Sequence, residues 1–147
     1  MSGADIVRME SDDDIVRTRD VMLQLRPHIP AAAYLPTVRR MMRIDGFRLA
    51  AVVADGRVRA VAGYRFIEML YCGRILVVDD LVTDAGERSR GHGTALLSWL
   101  KDEARRTACG QVHLDSRVQR ELAHRFYFRE GFAITCFHFC AVLDPAG

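Results

Sequence analysis

The chain has 147 residues, half of them hydrophobic and 27% charged, with a formal net charge of +2. That length suits one domain, which can bury roughly two-thirds of its unfolded surface without a metal or disulfide, and the composition excludes collagen-like, mucin-like and wholly disordered chains. No apolar run approaches the roughly 20 residues that span a bilayer, Met1–Glu10 lacks a secretory signal's basic flank and apolar stretch, and the arginines lie scattered among acids instead of forming the basic stripe that nucleic acid requires. A cytoplasmic protein with no membrane or nucleic-acid partner is expected.

Along the chain, Ala4–Glu10 alternates as a first strand. Ser11 followed by Asp12, Asp13 and Asp14 is a helix start, because acids favour the positive end of a helix. Ile15/Val16 and Met22/Leu23 then recur on one helical face until Pro27 and Pro30 end it. A second short helix reads from about Leu35 to Arg43. Phe47–Ala54 and Arg57 to about Leu70 are strands joined at the tight hairpin Asp55-Gly56. Arg74–Thr83 is a third long strand, Gly91–Thr107 a helix, Gln111–Asp115 a short strand, and Glu121–Glu130 a helix closed by Gly131. Phe132–Leu143 reads as one or two closing strands. The order β-α-α-β-β-β-α-β-α-β is an α/β (α+β) mixture around one largely antiparallel sheet with a parallel pair late in the chain. No repeat, low-complexity tract or linker interrupts it, so residues 1–147 read as a single domain.

The stretch after the third long strand carries the chemistry. A strand ends near Thr83, and a loop holds Arg88-Ser89-Arg90-Gly91-His92-Gly93-Thr94 before an amphipathic helix. Glycines at a strand-to-helix junction turn backbone N–H groups outward with no Cβ in the way. The helix's first-turn donors and its dipole then form a cradle for phosphate or pyrophosphate, and Arg88 and Arg90 add charge beside it. Neither the Walker A pattern nor the dinucleotide G-x-G-x-x-G is present. By glycines alone, a plain strand–helix connection stands equally.

Arg88-x-x-Gly91-x-Gly93 matches the Q/R-x-x-G-x-G/A signature, and Ala123-x-x-Phe126-Tyr127-x-x-x-Gly131-Phe132 resembles a second signature that follows it. With Asp79-Asp80-Leu81-Val82-Thr83 leading into the loop, residues 47–143 resemble the GNAT superfamily of acetyl-CoA-dependent N-acetyltransferases. The resemblance implies a sheet splayed between its fourth and fifth strands and flanked by helices. It implies acetyl-CoA as acetyl donor, its pantetheine arm along Leu81, Val82 and Thr83, and its pyrophosphate on residues Arg88, Ser89, Arg90, Gly91, His92, Gly93 and Thr94. It also implies direct attack of a primary amine on the thioester, with Tyr127 as general acid to the leaving thiolate.

The physical demands of that reaction can be set against the residues. A Lys-like amine has a pKa near 10.4 and must lose its proton before it attacks. The developing oxyanion needs a donor, and the N–H of Val82 or Thr83 is the expected one. Unperturbed, Tyr near 10 donates to a thiolate near 8.5 uphill by about 2 kcal/mol, a small part of a catalysed barrier. For the base, strand alternation groups Asp79 with Val77, Leu81 and Thr83 and turns Asp80 the other way with Val78 and Val82. Asp79 is therefore favoured, with Asp80, Asp115 or a water relay as alternatives. Core packing for Tyr127 and capping or ion pairing for the acids are the non-catalytic readings.

Two departures stand out. Gln119-Arg120 replaces the Asn that many members carry before the second-signature helix, and the loop from Thr83 to Arg88 has no proline. The remaining polar residues have plainer readings. His92 is expected to face solvent, His113 and His124 to be surface or satisfied histidines, and Trp99 to be packing. Cys72, Cys109, Cys136 and Cys140 form no C-x-x-C pair and read as small buried hydrophobes. Cys136, His138 and Cys140 share a strand face but span about 13 Å, too far to converge on one ion. No metal is expected. The acceptor is expected to be a small-molecule amine, with a protein lysine or N-terminus as an alternative and a non-catalytic acyl-CoA-binding sensor as the rival class. The closing strand invites edge pairing, so a homodimer is the expected assembly.

Overall fold

Ser11 opens the first helix with a reciprocal cap. Its Oγ accepts from the Asp14 N–H at 3.1 Å, and the Asp14 carboxylate accepts from the Ser11 N–H at 3.3 Å. In the computed structural model, which describes residues 3–144, that cap joins strand β1 (Asp5–Arg8) to helix α1 (Asp12–Leu25). There follow α2 (Ala31–Asp45), β2 (Arg48–Ala54), β3 (Arg57–Met69), β4 (Gly73–Thr83), a 3-10 turn (Ala85–Glu87), α3 (His92–Arg106), β5 (Gln111–Leu114) and α4 (Glu121–Arg129). The strands form one sheet in the order β1-β2-β3-β4-β5, antiparallel except for the parallel β4–β5 pair.

The chain divides into two compact units, Met1–Leu114 and Asp115–Gly147. The first holds the whole sheet and α1–α3. One face of its sheet is closed by α1 and α2, where Ile15, Met22, Tyr34 and Val38 pack with Phe47, Leu49 and Val61. In that core Thr18 Oγ1 donates to the Ile15 carbonyl at 2.6 Å, so the Tyr34 hydroxyl must donate to Thr18 Oγ1 at 2.8 Å. The other face is closed by α3, whose Leu96, Leu97 and Leu100 are fully buried, and Trp99 meets Tyr64 of β3 edge-on at 6.0 Å. Trp99 is packing, as read from the sequence.

Two elements differ from expectation. Helix α2 begins at Ala31, four residues before the periodic signal, with Pro30 as its extended N-cap and Pro36 inside it. A proline that early removes only the bond to the Ala32 carbonyl, and the alanines ahead of it are strong helix formers. The expected closing strands are not formed, because the described residues after α4 carry no strand. Ile134, Phe137, Phe139, Val142 and Leu143 are 70–92% exposed there. The alternation in this run is apolar on both faces, a pattern that holds as a strand only between two partners.

Candidate functional site

Strand β4 is the spine of the site. It pairs with β3 from Gly73 to Thr83, but with β5 only from Ile75 to Val78. β5 ends at Leu114, opposite Val78, and the β4 edge from Asp79 to Thr83 has no strand beside it among the described residues. Leu81, Val82 and Thr83 lie along this edge; because the Asp84 N–H donates to the Arg59 carbonyl, the alternation of the ladder commits the Val82 N–H to β3 and turns the Leu81 and Thr83 amides to the unpaired side.

The register reveals why the acids do not alternate as the sequence suggested. Gly63 pairs with Asp80 and Tyr64 with Val78, so Asp79 is an extra residue bulged out of β4. Both carboxylates are met by groups on the side of the sheet away from Tyr64 and α3. Arg65 Nη2 donates to Asp79 Oδ1 at 3.0 Å, and Arg65 Nε lies 2.9 Å from Oδ2 as an ion-pair contact without hydrogen-bond alignment. Asp80 takes Arg26 Nε at 2.8 Å, and Arg26 Nη2 also donates to the Asp79 carbonyl at 3.0 Å. The expectation that Asp80 points the opposite way is thus corrected by the bulge, which resets the two-residue period. Burial pushes the Asp80 carboxyl above the usual aspartate range, against the pull of Arg26. Gly63 makes this nest possible. A Cβ there would stand 2.5 Å from Asp80 Oδ2 and 2.5 Å from Phe47 Cζ.

From Thr83 the chain passes through the 3-10 turn to Arg88, and Ser89 and Gly91 take positive φ of 67° and 81°. Gly91 is the left-handed N-cap of α3, with no side chain capping the helix and nothing within 4 Å of where a Cβ would sit. The first turn of α3 thus follows a glycine with room around it and lies beside exposed Arg88 and Arg90. This arrangement fits a bound pyrophosphate. His92, expected in solvent, is only 13% exposed, its Nε2 3.6 Å from Glu87 Oε1. The first turn of α3 folds it back onto the preceding 3-10 turn.

In the second unit, Tyr127 sits on α4, half-buried between Phe126 at 5.5 Å and Phe132 at 5.9 Å. Burial pushes its phenol above the usual tyrosine range, with Arg120 pulling partly back. Arg120 is the N-cap of α4 and makes no side-chain cap bond. Asp115 is exposed and pairs with His138 Nδ1 at 2.9 Å, while His124 meets the Arg117 carbonyl at 2.8 Å. In the first unit, His113 meets Gln111 at 2.7 Å. All four cysteines are free, and Cys136 and Cys140 are exposed instead of buried, because the strand that would bury them is not formed. Among the described residues no group of three His, Cys, Asp or Glu could hold a metal, and no helix is long and apolar enough to cross a membrane.

The structure thus brings Asp79, Asp80, the bare edge and the glycine loop into one unit and carries Tyr127 and Asp115 in the other. Arg26 and Arg65, the partners of the two acids, were missed in the sequence. Arg26 lies 54 positions from Asp80, and nothing local marks it among the chain's arginines.

The profile of the Acetyltransferase (GNAT) family matches residues 20–132. The uncharacterized N-acetyltransferase YhdJ of Bacillus subtilis is 32% identical over 133 residues, covering 90% of this chain and 94% of that one. An aminoalkylphosphonate N-acetyltransferase of Salmonella typhimurium is 35% identical over 66 residues, 45% of this chain and 43% of that one. Among solved structures, the aminoglycoside N-acetyltransferase AAC(6')-Iy in complex with CoA superposes with a TM-score of 0.85 at 17% identity, covering 97% of this chain and 95% of that one.

Proposed function

Since the chain belongs to the GNAT family of N-acetyltransferases and takes acetyl-CoA as its donor, we propose that it acetylates a primary amine of a small molecule by direct attack in a ternary complex, residues 1–147 acting as one catalytic domain. The carrying observation is the bare β4 edge, Asp79 to Thr83, running straight into the uncapped first turn of α3. An extended amide-bearing arm fits the edge, and a pyrophosphate fits the cradle of residues 88–94. Bound acetyl-CoA supplies the thioester carbonyl that the amine attacks.

The chain's own groups then divide the work. Of the two expected donors, Val82 and Thr83, the ladder with β3 leaves the Thr83 N–H free to donate to the developing oxyanion. Asp79 and Asp80 face the acceptor's ammonium and take its proton through a water relay. Of the two, Asp80 is the better placed to hold the proton, because burial raises its carboxyl. Tyr127 protonates the leaving thiolate. Its raised phenol keeps that proton in place at neutral pH and makes the transfer more uphill than the ~2 kcal/mol of unperturbed groups.

The relative named for an aminoalkylphosphonate acceptor supports a small molecule over a protein lysine or N-terminus. Each acid on β4 already carries an arginine, so a highly cationic acceptor gains little there, and an amine of low net charge fits better. The exposed apolar run from Ile134 to Leu143 supports a homodimer in which a second copy covers it. Use of acetyl-CoA supports a cytoplasmic location. The test is thiol release from acetyl-CoA against a panel of amines and lysine peptides. Turnover with a small amine supports the proposal. Tight acetyl-CoA binding with no release on any acceptor would make the protein an acyl-CoA sensor instead.

A further inference from the structure

The connection between β4 and α3 is fastened at its root from two sides. From α1, Gln24 lies across it, its Nε2 donating to Asp84 Oδ1 at 2.8 Å and its Oε1 accepting from the Ala85 N–H at 2.9 Å. From β3, Arg59 holds it through backbone and side chain together. The Arg59 carbonyl accepts from the Asp84 N–H at 2.8 Å, and Arg59 Nη1 lies 3.3 Å from Glu87 Oε1. That ion pair is well covered, with 14% of the Arg59 side chain and 12% of Glu87 exposed. Arg59 is itself steadied by donating from Nε to the Ala54 carbonyl at 3.3 Å. On its outer side Glu87 meets Arg90 Nε and His92 Nε2, each at 3.6 Å. One carboxylate thus ties β3 to both ends of the turn that opens α3.

We propose that Gln24 and the Arg59–Glu87 pair are positioning residues, which hold residues 88–94 in the shape that receives the nucleotide end of acetyl-CoA. This rests on the reading that those residues carry the pyrophosphate. The need is physical. Ser89 stands at a positive φ of 67°, a conformation that a non-glycine residue in a free loop populates poorly, and no proline between Thr83 and Arg88 stiffens the approach. A loop ordered only on binding subtracts its ordering entropy from ligand affinity. The fastenings remove that loss in advance. Arg59 has a second duty, since a bare Glu87 carboxylate beside the cradle would repel an anion, and the buried guanidinium neutralises it.

The test uses Gln24→Leu and Arg59→Met, with Arg59→Lys as the conservative partner and the double variant Arg88→Ala/Gly91→Ala as a control on the loop itself. Gln24 is exposed, so its replacement does not threaten folding. Calorimetric titration with CoA is expected to show each of the first two variants binding about five- to tenfold more weakly, the effect of one or two hydrogen bonds. Arg59→Lys should recover most of that loss. In turnover, the KM for acetyl-CoA should rise while kcat and the KM for the amine stay within about twofold, since only the donor's tail is affected. If the control weakens CoA binding but Gln24→Leu and Arg59→Met do not, the fastening is structural only and the proposal fails. If the control also binds CoA as the wild type does, the loop does not hold the pyrophosphate and the proposal falls with it. A loss of kcat equal to the rise in KM would likewise overturn it.

Discussion

Gly63→Ala should be the most damaging single-methyl change in the sheet. The new Cβ would stand 2.5 Å from Asp80 Oδ2, and 2.5 and 2.7 Å from Phe47 Cζ and Cε1. Ordinary contacts between carbons begin near 3.5 Å, so about 1 Å must be found somewhere. Phe47 is 4% exposed within the α1–α2 core and has little room to yield. Asp80 can yield only by leaving Arg26, which it meets at 2.8 Å, and so uncovering a charge pair. Overpacking of this kind costs about 1–3 kcal/mol, and the coupled ion pair puts the expectation at the upper end. For a chain of this size, about 3 kcal/mol lowers Tm by roughly 6–12 °C. Scanning calorimetry of Gly63→Ala, with Gly63→Ala/Phe47→Leu as relief, measures it. The double variant should regain part of the loss by removing the ring that the methyl strikes. A Tm within about 1 °C of wild type for Gly63→Ala would show that the bulge does not pack Asp80 against the core, and the assignment of that carboxylate would go with it.

Three further outcomes follow from the same geometry. Tyr127→Phe should lower kcat by about 10- to 1,000-fold, with acetyl-CoA affinity unchanged; an unchanged kcat would remove Tyr127 from the acid role. Asp80→Asn should displace the acidic limb of the kcat/KM profile more than Asp79→Asn does, because burial raises the Asp80 carboxyl; the reverse order would return the base to Asp79. Glu103→Gln should lower Tm at neutral pH. Burial would raise this carboxyl, but hydrogen bonds from Arg8 and Arg106 override it and hold it below 4.5, so its stabilising effect is present above that pH and fades as pH falls. The Tm difference between wild type and Glu103→Gln should therefore shrink below about pH 4.5, and a difference constant to pH 3 would refute the pairing.

The parts of this molecule legible in the sequence are those set by local rules. The cap at Ser11, the Asp55-Gly56 hairpin and the long apolar face of α3 were each fixed by neighbours a few residues away, and each forms as read. The glycine loop was legible for the same reason, since a left-handed residue at the mouth of a helix needs glycine. What failed depended on distant partners. Parity along β4 gave Asp79 and Asp80 opposite faces, and a bulge created by pairing with β3 overrode it. His92 was read as a loop residue in solvent, while Glu87, five positions earlier, draws it inward. The run after Gly131 has strand composition but finds no partner among the described residues, so composition alone did not make it a strand.

The bulge also changes what the acids can mean. Had Asp79 and Asp80 faced opposite sides of a regular strand, one would have stood alone in the acceptor region, an unbalanced negative charge suited to a strongly cationic amine. Instead, both lie on one face with Arg65 and Arg26 against them, and the guanidiniums are about one-third exposed. A carboxylate so paired attracts a distant cation weakly, because the arginine cancels its field beyond a few ångströms. It still accepts a proton at close range, where the individual oxygen is felt rather than the pair. On the proposed reading, the acceptor is then selected by shape and short-range hydrogen bonding more than by charge. Thiol release should accordingly fall only modestly as salt is raised from about 0.05 to 0.5 M. A steep salt dependence of the amine KM, with acetyl-CoA held at saturating concentration, would show an uncompensated acid at the site and contradict the pairing seen here.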